Sequence, residues 1–200
     1  MDLNALPLFP LNAVLFPGGP LALRIFEPRY LDMVRRCMRD GSSFGVVTLL
    51  EGAEAGAPAR RVAELGTSAR IVDFDPLPDG LLGLTCLGGE RFRVLRRSQQ
   101  EDGLNLGEVE WLAAEVPQLL PEPLQYLAAG LRELLPKLGH GYAHVAADYA
   151  DAGWVANRWA EVLPLELEQK LALLGLEQPL ERLAQVVAAW SARQPPAADV

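Results

Sequence analysis

An uncharged, apolar run from Leu3 to Leu23 opens the chain, and Pro7, Pro10, Pro17 and Pro20 cut it into short pieces. By length alone, an apolar run of roughly 18 residues or more marks a membrane span. Proline inside a helix removes a backbone donor and costs about 3 kcal/mol, so no helix propagates through this run. A secretory signal fits no better. Asp2 stands where a basic region belongs, and no small-residue cleavage site follows an unbroken apolar stretch. What remains is buried extended segments separated by proline turns, opening a soluble β-rich domain with no membrane partner.

The 200 residues are enough to bury a core without staples, and a hydrophobic share of 50% with 22% charged residues is a globular balance rather than a disordered one. The formal net charge is −8, and Lys137 and Lys170 are the only lysines among 18 basic residues. Such a chain does not attract phosphate backbones by its mean field, so nucleic acid is disfavoured as a partner. Cys37 and Cys86 are too few for a disulfide framework and are not spaced as a metal clip. They read as small buried apolar side chains in a reducing, cytoplasmic setting.

Short apolar and alternating runs dominate to about residue 116, and helical periodicity takes over afterwards. Leu6–Phe9, Leu21–Phe26, Phe44–Leu50, Val62–Phe74, Leu81–Leu87, Arg91–Arg97 and Asn105–Leu112 read as strands. One helix interrupts them: Pro28 suits a first turn, Leu31, Val34 and Met38 keep helical spacing, and Gly41 stops it, giving Pro28–Asp40. Gly52–Ala59 reads as a mobile surface loop. Pro78-Asp79-Gly80, Gly88-Gly89 and Asp102-Gly103 read as turns, and about seven short strands at this turn density suggest a compact barrel. Pro117, Pro121 and Pro123 mark a boundary. Beyond it Leu124, Leu127, Leu131, Leu134 and Leu138 form one stripe, and Asp151 caps a helix carrying Trp154, Val155, Trp159 and Val162. Leu167, Leu171 and Leu174 line the next helix up to Gly175, and Pro179 opens a last one with Leu180, Leu183, Val187 and Trp190 inward. The expected division is a β domain over 1–116, a proline-rich junction over 117–123, a helical bundle over 124–193 and a frayed tail over 194–200.

The sequence holds few groups that could form a reactive constellation. Neither lysine sits in a phosphate-binding loop, and no Gly-x-Ser-x-Gly elbow occurs. His140 and His144 have a metal-ligand spacing on a helix, but flanking glycines weaken that helix, which favours a solvated interhelical segment. Asp73, Asp75 and Asp79 read as solvated hairpin carboxylates. Arg91, Arg93, Arg96 and Arg97 form the only basic run; Phe92 alternates to the opposite face, which favours a salt-bridged outer face over base stacking. Trp154 and Trp159 read as packing residues. No cofactor and no metal is expected.

Leu6-Pro7-Leu8-Phe9-Pro10-Leu11, Val14-Leu15-Phe16-Pro17-Gly18 and Leu23-Arg24-Ile25-Phe26-Glu27-Pro28-Arg29-Tyr30 together resemble the opening of the Lon N-terminal domain. The Phe-Glu-Pro-Arg-Tyr form is similar to stand-alone bacterial members and related eukaryotic RING-finger proteins. Gly66-Thr67-Ser68-Ala69-Arg70-Ile71, Pro78-Asp79-Gly80 and Gly88-Gly89-Glu90-Arg91-Phe92-Arg93-Val94 resemble its central signature, and Trp159–Leu165 with Glu168–Leu174 its helical end. The resemblance implies an α+β fold: a PUA-like β pseudobarrel with one inserted helix, then a four-helix antiparallel bundle. It implies no ATPase module and no serine–lysine protease dyad, hence no enzyme. It also implies recognition of unfolded or exposed apolar polypeptide and an adaptor role in protein quality control, with homo-oligomers and other proteins as further partners. Phe26, Arg29 and Tyr30 are the candidate substrate-binding residues, lining a groove where the two parts meet. The other reading of the same residues is a core pair, Phe26 and Tyr30, beside a buried ion pair at Arg29. An RNA-binding PUA-like module and an enzyme with an unrecognised site remain alternatives, the first resting on fold analogy alone.

Overall fold

The proline-broken opening folds as extended chain. The computed structural model describes residues 5–53 and 61–192, the His140 side chain excepted. Pro7 and Pro10 lie within β1 (Leu6–Leu11). There follow β2 (Pro20–Ile25), α1 (Pro28–Asp40), β3 (Phe44–Glu51), β4 (Arg61–Pro76), β5 (Leu82–Gln99) and β6 (Asn105–Trp111). Then come α2 (Gln125–Leu134), α3 (Ala152–Val162), α4 (Leu167–Gly175) and α5 (Pro179–Ser191). The fold is mixed α+β. Most of the Gly52–Ala59 loop and the whole tail over 194–200 lie outside the described residues. Among the described residues no helix is long and apolar enough to cross a membrane.

The strand order is β2-β5-β4-β3-β1-β6, and β6 pairs back onto β5, so five strands close a ring with β2 attached outside it. The long β5 makes this arrangement work. One of its edges pairs with β4, while the other carries β2 along Leu82–Leu87 and β6 along Phe92–Gln99. Only β1 and β3 run parallel, and α1 lies in the connection between β2 and β3.

Gly88-Gly89 is therefore not a turn, and the two strands expected on either side of it are one, giving six strands among the described residues. Paired glycines signal a tight reversal and a close backbone approach alike, and here the approach decides. Gly88 exchanges hydrogen bonds with the loop after β1: its N–H donates to the Gly19 carbonyl and its carbonyl accepts from Gly18, both at 2.8 Å. A Cβ on Gly88 would stand 2.1 Å from the Phe16 carbonyl oxygen, and one on Gly89 2.5 Å from the Ser68 hydroxyl.

α1 has the expected bounds, closed by Gly41 at φ 63° with its N–H on the Cys37 carbonyl. Its buried face carries Tyr30, Met33, Val34 and Cys37, with Leu31 half-buried against the same core and Met38 exposed, and it packs on Phe9, Ile25, Phe44 and Leu84. A second core gathers Leu127, Leu131, Val155, Trp159, Leu174, Leu183 and Val186 from the later helices. Phe16, from the loop after β1, is fully buried in that second core, so the N-terminal run contributes to both. Asp151 caps α3 as expected, its carboxylate accepting from the Trp154 N–H at 2.6 Å. Two apolar positions differ from expectation. Leu138 lies past the end of α2 and is exposed, and Leu180 is exposed because the inward face of α5 takes Arg182 instead. A periodicity count treats arginine as polar, yet its aliphatic stem packs like an apolar side chain once the guanidinium is satisfied.

Gly88→Ala should cost about 3 kcal/mol in urea denaturation, because the new methyl meets backbone rather than a movable side chain. A loss below about 0.5 kcal/mol would contradict this packing.

Candidate functional site

The three residues expected to form a site part company. Phe26 directly follows β2 with its ring half in solvent, 52% exposed. Tyr30 is buried in the first turn of α1, its ring stacked on Phe9 at 4.1 Å, and burial pushes its hydroxyl pKa up against the opposing Arg29 charge. Arg29 lies over the Tyr30 ring, its guanidinium carbon 4.9 Å from the ring centre, and it pairs with Glu27 at 2.6 Å and donates to the Gly103 carbonyl at 3.1 Å. Phe26 and Tyr30 do share a cleft of about 300 Å³ with Phe9, Leu11 and the residues of β2 from Ala22 to Ile25; Arg29 is not among its walls. A wider cleft of about 530 Å³ adjoins it across β2, walled by Phe74, Leu77, Pro78 and Leu84. Its edge is held by an ion pair between Arg24 and Asp79. Among the described residues β2 is paired along one edge only, with β5, and the ring strand β1 is paired with β6 only at Leu6, Pro7 and Leu8.

Where strands and helices meet, other residues line the space. Arg91, expected on a solvated face, is 5% exposed. Its Nη1 donates to the carbonyls of Leu174 and Leu176 at 2.7 and 2.8 Å, and its Nη2 lies 3.2 Å from Glu115. Arg182 comes from the opposite side. Its Nε donates to the Leu173 carbonyl at 2.9 Å, Nη1 and Nη2 grip the Glu115 carboxylate at 2.9 and 2.5 Å, and Nη2 also donates to the Leu176 carbonyl. The last carbonyls of a helix have no partners within it. At α4 two arginines supply them, with the Glu115 carboxylate shared between the two. Burial lowers the pKa of Arg91 and the neighbouring Glu115 opposes that shift. Arg93, one pleat on, has the expected exposed position, with Glu110 at 3.7 Å.

A second buried arginine cluster lies nearby. Arg158 has no exposed surface; it donates to Glu161 at 2.8 and 2.6 Å and to the Pro17 carbonyl at 2.8 Å. Tyr142 donates its hydroxyl to Glu161 at 3.3 Å. Burial raises the pKa of Glu161, with Arg158 opposing, and burial followed by the Glu161 charge raises that of Tyr142. Two clefts flank the Leu112–Glu115 segment between these clusters. One, about 480 Å³, is walled by Leu65, Arg91, Val116 and Pro179; the other, about 310 Å³, by Gly18, Gly89, Trp154 and Asn157. The sequence signal for this junction was charge-balanced burial: arginines inside strand and helix patterns of a chain almost devoid of lysine.

The remaining candidates do not assemble. His144 lies 3.6 Å from Asp73, and among the described residues no three His, Cys, Asp or Glu side chains converge as a metal site. Cys37 and Cys86 are free and buried, and burial pushes the Cys86 thiol up to about 12.

Residues 5–189 match the ATP-dependent protease La (LON) substrate-binding domain family. The chain belongs to this family. Lon protease 2 of Myxococcus xanthus is 29% identical over 183 residues, which cover 86% of this chain and 21% of that protein. The chain thus spans about a fifth of the length of that Lon protease. The crystal structure of a Lon N-terminal domain protein from Xanthomonas campestris is similar at a TM-score of 0.75 and 41% identity, covering 93% of this chain and 98% of that one. The N-terminal domain of the Mycobacterium avium complex Lon protease shares the fold, with a TM-score of 0.64 at 17% identity over 95% of this chain and 100% of that one. The matched region of the LON family is its substrate-binding domain.

Arg182→Met should cost about 3 kcal/mol, because the Leu173 carbonyl loses its guanidinium donor and the half-buried Glu115 loses its forked one, leaving only the longer contact to Arg91. Arg182→Lys should not rescue it, since an ammonium cannot fork to a carboxylate and two carbonyls together. A denaturation midpoint that corresponds to less than about 1 kcal/mol of change would contradict that role.

Proposed function

We propose that this chain is a non-catalytic, polypeptide-binding module of the Lon N-terminal type, which takes up exposed apolar or unfolded segments, as an adaptor in cytoplasmic protein quality control. On this reading the ring of strands is a PUA-like pseudobarrel over 1–116, joined through 117–123 to a helical bundle over 124–193. The family's substrate-binding character supports the class of function. The observation that carries the location is the pairing of a half-exposed Phe26 with a cleft beside an unpaired strand edge. An unfolded segment offers both things such a place needs: apolar side chains for the cleft, and backbone donors and acceptors for the strand edge.

Phe26 and Tyr30 then have different parts. Phe26 is the contact surface, and Tyr30, stacked on Phe9, is the floor; Arg29 positions the strand-to-helix corner through Glu27 and Gly103. Burying apolar surface yields about 25 cal/mol per Å² before ordering costs, and those costs hold a single segment to roughly micromolar affinity. Self-association would raise apparent strength by multivalency. The net charge of −8 weighs against RNA as the ligand.

The test is a titration of the intact chain with a reduced, unfolded model protein, followed by fluorescence anisotropy. Wild type should bind at roughly micromolar concentration, and Phe26→Ala should weaken binding about tenfold with an unchanged circular dichroism spectrum. Tyr30→Ala should instead lower stability by about 3 kcal/mol. Wild-type protein that ignores unfolded chains and a broad peptide array ends the reading; binding left intact in a folded Phe26→Ala variant moves the groove elsewhere.

A further inference from the structure

The cleft between the Leu112–Glu115 segment and α3 is, we propose, a second recognition site, which holds one apolar side chain of a polypeptide and pairs Asn157 with the peptide unit beside it. The source of that ligand rests on the polypeptide-binding reading, but the site shares no residue with the Phe26 cleft.

Asn157 is the observation that points to a ligand. It lies on α3, is 4% exposed and lines a cleft whose other walls include Pro17, Gly18, Leu112, Ala113 and Trp154. Its enclosed carboxamide oxygen accepts no hydrogen bond from any described residue. A buried polar atom in a native fold nearly always has a partner, and leaving one unpaired disfavours folding. An apolar side chain of the same size would suit this wall better if packing were its only purpose. A carboxamide has a donor and an acceptor side by side, and so does a peptide unit, so the two pair whichever way round the amide lies.

The size and charge of the cleft narrow the ligand further. A volume of about 310 Å³ takes one or two side chains, at the small end of the range for ligand sites. Three carboxylates, Glu90, Glu115 and Asp151, line it with the Arg91 guanidinium; Arg182, behind the wall, also grips Glu115, so Glu90 and Asp151 set the negative sign of the mouth. Arg91 is engaged with the Leu174 and Leu176 carbonyls and with Glu115, and Asp151 with the N–H groups of Gln118 and Trp154. Glu90 is exposed at the rim. A negative mouth repels a chain's terminal carboxylate and any phosphate, and it favours an internal, uncharged peptide unit with basic neighbours. The ligand class is therefore an internal apolar segment of a polypeptide.

The experiment uses the full chain, isotopically labelled for NMR, with N-acetylleucinamide as the neutral probe and N-acetylleucine as its charged counterpart. The neutral amide should shift the Trp154 indole and Asn157 side-chain signals, and the carboxylate should bind at least about tenfold more weakly. Asn157→Leu should weaken the amide about tenfold while leaving the melting temperature equal or higher, since it removes an unpaired polar atom. A structural role for Asn157 predicts the reverse, a lower melting temperature with binding unchanged. Should the leucine variant not fold, Asn157→Asp keeps the shape, adds repulsion and must also lose the amide. Absence of shifts at Trp154 and Asn157, or wild-type binding by either folded variant, overturns the proposal. If the amide binds here but unfolded proteins do not bind the chain, the broader reading fails and this site stands; if unfolded proteins bind and the amide does not, the opposite holds.

Discussion

Three arginines with almost no exposed surface, Arg91, Arg158 and Arg182, hold the strand ring and the helices together. A guanidinium taken out of water costs several kcal/mol unless its partners are in place, so each of these groups demands a fixed geometry around it. Arg91 reaches from β5 to the end of α4, and Arg158 from α3 to the loop after β1. Arg182 reaches from α5 to Glu115, on the segment that leaves β6. Each of the three thus makes at least one contact from one part of the chain to another, while Glu161, on the same helix as Arg158, balances its charge. Separating strands from helices would part Glu115 from Arg182, Arg91 from the Leu174 and Leu176 carbonyls, and Arg158 from the Pro17 carbonyl at once. The apolar contribution, with Phe16 buried among helical residues, points the same way.

This seam also explains where the open space is. It fixes Leu112–Glu115 as an extended bridge, and the two clefts at the junction lie on either side of that bridge. The other pair of clefts flanks β2, the strand left outside the closed ring. A binding module needs concave apolar surface that does not collapse when empty, and rigid walls supply it at both places. Tyr30 stacked on Phe9 stiffens one, and the arginine–glutamate cluster stiffens the other.

Features that rest on local chemistry were legible in the sequence. The bounds of α1 follow from Pro28 and Gly41, the cap on α3 from Asp151, and the hairpin after β5 from Asp102-Gly103. Features that rest on what lies opposite were not. Gly88-Gly89 has the composition of a turn but serves the close passage of the Phe16–Gly19 loop. Alternation placed Arg91 on a solvated face, and periodicity placed Leu180 rather than Arg182 inside α5; both errors come from treating charge as exposure. Asn157 carries no sequence signal at all, since its meaning lies in the enclosure of one oxygen atom. The family signature spans both kinds of feature, which is why it located the fold more surely than it located the site.

Native-state hydrogen exchange on the intact chain tests the seam most directly. If the buried arginines make strands and helices one cooperative unit, the slowest amides of β5, α3 and α5 will share one opening free energy and one dependence on denaturant. If α3 and α5 open at a free energy lower by about 2 kcal/mol or more while β5 stays closed, the seam does not couple them and the account is wrong.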